Sequence, residues 1–359
     1  MSTQLPLRDD LVGEVPYGAP QLEVPVVLNV NENPYPPSET LRRAFAEAIF
    51  EASKGLNRYP EREAWELRHD LAAHLGHGLR PENIWVANGS NEIMSHLLTA
   101  FGGPGRTVLT FSPTYSMYPE YARNTCTRYV AEPRRPDHGV DAELVLGAIE
   151  KHHPSVVLIT TPNNPTGTSV APEVIDEICR ATRALVVVDE AYQEFSTRPS
   201  SLTLLNRHEH LVVSRTMSKA FAMAGARVGY LAASPAIVDA CRIVRLPYHL
   251  GTQTQVLARV ALAHRQELLA QVAELAQQAR EFQAWLSEQG YEVIPSDANF
   301  VLFGRFPDRH ATWQGLLERG VLIRETGPEG FLRASAGRPE EMAALRDALC
   351  DIHPEGPRS

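Results

Sequence analysis

The chain of 359 residues has no closely spaced cysteine pair, no long apolar run and no excess of positive charge, and each absence removes a class of protein. Its four cysteines, Cys126, Cys179, Cys241 and Cys350, lie far apart without CxxC spacing, which fits neither a disulfide framework nor a zinc ribbon. They read as reduced, mostly packed thiols, and no metal site is expected. No apolar stretch approaches the roughly 20 residues of a membrane span. The start, Met1 to Pro20, is rich in Pro and acidic residues and lacks the basic region and apolar run of a secretory signal, so a cytoplasmic protein without a membrane partner is expected. A formal charge of −9, with no run of Lys or Arg, argues against a nucleic-acid partner, since phosphate binding needs a basic face. A small anion in a locally basic pocket stays open.

What is present is ordinary globular material, 43% hydrophobic and 21% charged, enough for a large domain and a smaller one. From about Tyr59 to Tyr248, β-rich runs alternate with helical stretches, the pattern of an α/β domain with a mostly parallel sheet flanked by helices. The expected strands are Ile84 to Ala87, Thr107 to Phe111, Val156 to Thr160, Leu185 to Asp189 and Leu211 to Ser214. Several run straight into polar or Gly-containing turns, and in open α/β sheets the ligand sits at the carboxyl ends of the strands. Between Thr254 and Gln289 there is no Pro or Gly, which predicts a largely helical connection ending at Gly290. Beyond it, Tyr291 to Phe303, Gly320 to Arg324 and Gly330 to Ala334 read as strands, with a helix at Ala311 to Arg319, in a smaller α+β domain. The expected division is 1–53 packing with the small domain, 54–253 as the large domain, 254–289 as the helical connection and 290–359 as the small domain.

Five segments carry groups suited to chemistry. Ser214-Arg-Thr-Met-Ser-Lys219 follows a strand and precedes Gly225-Ala-Arg227, gathering hydroxyls, an amine and a guanidinium. A lysine amine adds to a carbonyl to form an imine, and Thr216, Ser218 and Arg227 are suited to the phosphate of the same cofactor. Judged singly, Lys219 reads as a solvated loop residue. Asp189 closes an apolar run, where a carboxylate is costly without a cationic partner such as a protonated pyridine nitrogen, and Tyr192 follows three residues on. A helix N-cap or a magnesium ligand is the alternative for Asp189. In Thr161-Pro-Asn-Asn-Pro-Thr-Gly167 two prolines and a glycine fix a turn that aims Asn164, or else form a plain Asn-Pro turn. Asn88-Gly-Ser-Asn-Glu92 opens a helix, so Ser90 and Asn91 form either a phosphate cradle or an ordinary N-cap. Tyr115, after Ser112-Pro-Thr, is suited equally to stacking on a flat heterocycle and to the core.

Taken in order, these segments resemble the fold-type I aminotransferases, and within them the histidinol-phosphate aminotransferase family. The resemblance covers nearly the whole chain and rests on Asn29-Val-Asn-Glu-Asn-Pro-Tyr35, Asn57-Arg-Tyr-Pro60, Asn88-Gly-Ser-Asn-Glu92, Pro162-Asn-Asn-Pro-Thr-Gly167, Val188-Asp-Glu-Ala-Tyr192, Arg215-Thr-Met-Ser-Lys219 and Leu332-Arg333. It implies pyridoxal 5′-phosphate held by Lys219, with Asp189 on the pyridine nitrogen, Asn164 and Tyr192 on the phenolate oxygen and Tyr115 stacked on the ring. Ser90, Asn91, Thr216, Ser218 and Arg227 would surround the phosphate. It also implies a homodimer in which Tyr59 of one subunit reaches the other's cofactor phosphate; from sequence alone Tyr59 is a tyrosine before a proline in a turn.

Arg333 matches the family's substrate-carboxylate arginine, and Arg324 lies one expected strand earlier. A guanidinium pair suits both the phosphate ester of histidinol phosphate and the carboxylate of glutamate. Arg324 as a surface residue is the alternative. The stretch Asn29 to Tyr35 is expected to line the side-chain pocket, with Glu32 and Tyr35 as candidate imidazole contacts, and Tyr248 and His249 are placed near the same cavity. The expected reaction is transamination between an amino donor and 2-oxoglutarate, with Lys219 as general base at the substrate α-carbon. An aromatic amino-acid aminotransferase would share every cofactor residue, and a lyase or decarboxylase would share Lys219 and Asp189. A cofactor-binding sensor would need a further module for which no segment is spare.

Overall fold

The runs Val156–Thr160 and Leu185–Asp189 are buried at every position, as strands covered on both faces must be. Their side chains alternate between two cores. Val156, Leu158 and Val187 face the helices Ser90–Phe101 and Pro235–Val244, while Val157, Ile159, Val186 and Val188 face Ala142–His152 and Pro172–Ala181. Local signals mark the helix starts: Pro172 and Pro235 stand at first helical positions, and the Asp141 carboxylate accepts from the Leu144 amide at 2.8 Å.

The computed structural model describes residues 6–354 and 356. Its largest sheet has seven strands in the spatial order Ile84–Asn88, Val228–Ala233, Leu211–Thr216, Leu185–Asp189, Val156–Thr160, Thr107–Ser112 and Arg128–Pro133. Only Val228–Ala233 runs antiparallel to its neighbours. The register sets Thr160 opposite Asp189, Asp189 opposite Ser214, and Thr216 opposite Gly229. The polar residues that end these strands therefore lie side by side on one edge.

A second, antiparallel sheet orders Arg324–Glu325, Leu332–Ser335, Phe300–Gly304 and Glu292–Ile294. Arg324 and Arg333 are direct cross-strand partners. Near the N-terminus, Val26–Val27 pairs in parallel with Val321–Leu322, and the Ser335 amide donates to the Leu28 carbonyl at 2.9 Å. The chain from Val26 to Asn31 is thereby laid along this second sheet and led to the edge of the first.

The α/β architecture agrees with the sequence reading, and several local details differ from it. The stretch expected as one helical connection forms two helices, Thr252–Ala263 and Arg265–Glu288, broken at His264, where no Pro or Gly marks the break. The run Tyr291 to Phe303 is a hairpin: Pro295 interrupts it, and Ser296 holds the turn by accepting from the Ala298 amide and donating to the Phe300 carbonyl. The run Gly320 to Arg324 divides at Ile323 between two sheets, because Val26–Val27 captures Val321–Leu322 while Leu332 and Arg333 pair with Glu325 and Arg324. Strands Arg128–Pro133 and Val228–Ala233 are additional to those expected.

Candidate active site

A cavity of about 270 Å³ opens where the strand ends of the large sheet meet the second sheet and the Asn29–Asn31 segment. The chain contains three lysines. Lys54 and Lys151 are surface residues paired with Glu51 and Glu132, whereas Lys219 lines the cavity. Its Nζ donates to the Val30 carbonyl at 2.7 Å and forms no ion pair with a carboxylate among the described residues. Burial, aided by the nearby Arg333 guanidinium, lowers its pKa to about 8, so far more of it is free amine near neutral pH than in an exposed lysine.

Across the cavity floor, Asp189 is buried, and its Oδ1 has no hydrogen-bond partner. Its Oδ2 accepts from the Tyr118 hydroxyl at 2.8 Å. Burial raises the Asp189 pKa to about 6, while the Tyr118 hydroxyl and the Ala191 amide pull it back down. A carboxylate left half-bonded inside the protein is a receptor for a cation. The Tyr115 ring stands edge-on to the Tyr118 ring at 5.6 Å and borders the same cavity.

Asn164 and Tyr192 have their acceptor atoms occupied by the protein. Asn164 Oδ1 accepts from Arg333 Nη1, and the Tyr192 oxygen accepts from Asn31 Nδ2 at 3.0 Å. Each keeps a donor hydrogen for the cavity. At the far wall, Gly89 (φ +82°) precedes the helix Ser90–Phe101, whose Glu92 amide donates to the Gly89 carbonyl while the Ser90 and Asn91 amides make no hydrogen bond among the described residues and are open to an anion. A Cβ on Gly89 would lie 2.4 Å from Arg227 Nη2, and one on Gly229 would lie 2.1 Å from the Gly89 carbonyl carbon. Both glycines are needed for the guanidinium and this helix start to converge. Thr216 Oγ1 and Ser218 Oγ, 3.0 Å apart, complete that wall, with Arg227 Nη1 at 3.4 Å from Ser218. Hydroxyls, free amides and one guanidinium suit a phosphate group.

The opposite end is basic. Arg333 is buried, donates through Nη2 to the Asn29 carbonyl at 2.8 Å, and lies over the Phe300 ring at 5.2 Å. Its Nε has no partner, and burial lowers its pKa to about 10, well above neutrality. Arg324 also lines the cavity and forms no hydrogen bond or ion pair among the described residues. Two guanidinium groups with no carboxylate between them need an anion.

The cavity thus gathers Lys219, Asp189, Asn164, Tyr192, Tyr115, Ser90, Asn91, Thr216, Ser218, Arg227, Arg324 and Arg333. It does not gather Glu32, Tyr35 or Tyr59. Glu32 is exposed and acts on Lys219 only through space. The Tyr35 hydroxyl donates to Glu274 at 2.5 Å, on the long helix Arg265–Glu288. Tyr59 is 79% exposed and stacks on Tyr248 at 4.4 Å. His249 hydrogen-bonds the Val86 carbonyl and stacks on Trp85, away from the cavity. Sequence reasoning missed Tyr17 and Thr326 in the cavity wall and Tyr118 beneath its floor. The spacing Tyr115-x-x-Tyr118 at a helix start was the available signal for the last.

The fold and the cavity define an α/β enzyme built around a buried amine and an anion-binding helix start. The chain belongs to the class I and II aminotransferase family, whose family model matches residues 23–349. It is 57% identical over 347 residues to the histidinol-phosphate aminotransferase of Thermobifida fusca, covering 96% of this chain and 95% of that protein. It is 53% identical over 355 residues to the histidinol-phosphate aminotransferase of Frankia casuarinae, covering 96% and 89%. The solved histidinol-phosphate aminotransferase of Sinorhizobium meliloti, in complex with pyridoxal 5′-phosphate, shares the fold with a TM-score of 0.86 at 23% identity over 98% of both chains.

Proposed function

We propose that this chain transfers an amino group between L-histidinol phosphate and 2-oxoglutarate, giving imidazole-acetol phosphate and L-glutamate, with pyridoxal 5′-phosphate as cofactor, in histidine biosynthesis. The observation that carries this reading is one cavity with a poised amine at its centre, a half-bonded buried carboxylate on its floor, a phosphate cradle at one end and an unpaired guanidinium group at the other.

The residues fit the cofactor group by group. Lys219 would hold its aldehyde carbon, Asp189 Oδ1 its ring nitrogen, Asn164 and Tyr192 its phenolate oxygen, and Tyr115 its ring face. Ser90, Asn91, Thr216, Ser218 and Arg227 would take its phosphate, and Gly89 and Gly229 leave room for the guanidinium beside the helix start. When bound, the cofactor supplies a carbonyl for the substrate amine and a protonated ring that accepts electron density released at the α-carbon. Arg324 and Arg333 bind the substrate phosphate or the carboxylate of glutamate. With its amine free, Lys219 Nζ would take the proton from the substrate α-carbon. Its lowered pKa raises the share of free amine near neutral pH above that of an exposed lysine.

The enzyme acts as a cytoplasmic homodimer with Tyr59 on the partner's cofactor phosphate. Two segments support this, the turn around Leu56 to Glu63 and the end of the helix Pro235–Val244 with the residues after it. They are joined by the Tyr59–Tyr248 stack and by the Glu63–Arg242 and Glu63–Arg245 ion pairs, and they carry the exposed side chains Leu56, Ile243 and Leu246. Side chains of that kind on one joined surface mark an interaction site.

The decisive measurement is the absorbance spectrum of the purified protein with added cofactor, before and after Lys219→Ala. An imine band is expected in the wild type and none in the variant, with activity reduced about 10³-fold or more. No band in the wild type defeats the reading. For the substrate, kcat/KM on histidinol phosphate is expected to exceed that on phenylalanine. The reverse order would make the chain an aromatic amino-acid aminotransferase.

A further inference from the structure

Tyr118 lies beneath the cavity floor, against Asp189 and Thr160, which both line the cavity. Tyr118 opens the helix Tyr118–Asn124, is 0% exposed, and places its hydroxyl 2.8 Å from Asp189 Oδ2 and 2.7 Å from Thr160 Oγ1. The phenol has one proton. An ionised carboxylate only accepts, so that proton points to Oδ2 and Thr160 must donate to the Tyr118 oxygen. Strand register fixes Thr160, because it stands directly opposite Asp189 on the neighbouring strand. One carboxylate oxygen is therefore occupied from below, and Oδ1 is the oxygen that remains unbonded.

We infer that Tyr118 is a positioning residue for the cofactor's ring nitrogen: its hydroxyl, oriented by Thr160, keeps Asp189 ionised and leaves Oδ1 as the one oxygen available to that nitrogen. The inference rests on the reading that this cavity takes pyridoxal 5′-phosphate. A wholly buried carboxyl group prefers to be neutral, and a neutral acid does not hold a pyridinium. A hydrogen bond to the charged form opposes that preference without adding a competing cation. The titratable groups around Asp189 are Tyr115, Tyr118, Tyr121, Tyr192 and Glu190. Burial raises the pKa of all four phenols and keeps them neutral, and Glu190 is bound to Arg215. None of them supplies the missing positive charge. The Tyr118 proton and the Ala191 amide are the donors that act on Asp189.

The test is Tyr118→Phe, which keeps the buried ring and removes one oxygen, with Thr160→Val as a second variant. In cofactor-free protein carrying ¹³C-labelled aspartate, the Asp189 carboxyl midpoint is expected to rise by about one to two pH units in Tyr118→Phe, and by less in Thr160→Val. Pyridoxal 5′-phosphate binding, followed by tryptophan fluorescence, is expected to weaken about tenfold or more near pH 6.5 in Tyr118→Phe and to approach wild type near pH 8.5, where Asp189 is ionised in both proteins. A deaza analogue with carbon in place of the ring nitrogen should bind both proteins equally. An unchanged carboxyl midpoint in both variants, or an affinity loss that is flat with pH and equal for the analogue, overturns the inference and leaves Tyr118 as packing alone. Failure of the wild type to bind pyridoxal 5′-phosphate at any pH overturns the functional reading with it, whereas normal wild-type binding beside unaltered variants overturns the Tyr118 inference only.

Discussion

Asp189 and Glu190 are consecutive carboxylates at the end of one strand, and they have opposite fates. Asp189 faces the cavity with Oδ1 unbonded. Glu190, only 1% exposed, is bound by Arg215 at 2.8 Å, by the Ser200 hydroxyl at 2.7 Å and by the Ser201 amide at 2.7 Å. Arg215 also reaches Glu194 at 3.2 Å. Because Arg215 lies four residues before Lys219, the saturated network ties the turn after Asp189 to the strand that delivers the lysine. Groups satisfied by the protein hold the frame, and groups left unsatisfied face the ligand.

The comparison breaks most visibly at Arg215. Arg215→Ala leaves Glu190 and Glu194 buried without their cation, and loss of a buried partner costs about 3–5 kcal/mol. Urea unfolding is expected to show that loss at every pH where the carboxylates are charged. A loss under about 1 kcal/mol would show that the network carries no load.

Asp189→Asn should move stability the other way. The folded pKa of about 6 lies above the ordinary value of 3.8, so this carboxyl favours the folded state most when protonated. Its contribution is full below pH 3.8 and is lost as pH rises through about 6. Asparagine removes that penalty, so cofactor-free Asp189→Asn is expected to gain up to about 3 kcal/mol relative to wild type at pH 8, and little at pH 4. Cofactor affinity should fall in the same variant. A destabilised cofactor-free variant at pH 8 would place Asp189 with Glu190, among the frame residues.

The same distinction decides what was legible in the sequence. The turns bearing Lys219, Asp189, Asn164 and Ser90 each follow an apolar run, and local pattern alone puts such turns at strand ends. Tyr118 and Asn31 gave no such signal, because what they do depends on contacts 71 and 161 residues away. The division of Gly320 to Arg324 between two sheets was hidden for the same reason: its cause is Val26–Val27, at the other end of the chain. The expected contact of Tyr35 with substrate followed from its position in a motif, and motif position does not say which way a side chain turns.

Arg324 sharpens the comparison within the cavity itself. Its backbone pairs across the strand with Arg333, yet the Arg333 side chain is tied to Asn164 and Asn29 while the Arg324 side chain has no hydrogen bond or ion pair among the described residues. Arg324→Gln should therefore leave stability within about 0.5 kcal/mol. It should lower kcat/KM for histidinol phosphate about 10- to 100-fold, the value of a hydrogen bond to a charged group. Phenylalanine turnover should change less. Equal losses on the two substrates would show that Arg324 does not select for phosphate.

The smallest effect is expected at Tyr35, where the comparison predicts a satisfied group and hence no role in binding. Its hydroxyl donates to Glu274 outside the cavity, and burial together with that carboxylate raises its pKa further above the working range, so it stays neutral. Tyr35→Phe removes one surface hydrogen bond and is expected to cost about 0.5–1 kcal/mol in urea unfolding, with KM for histidinol phosphate unchanged. A KM raised tenfold with unchanged stability would mean that Tyr35 turns from Glu274 to the substrate when the cavity fills, and that its satisfied state belongs to the ligand-free protein alone.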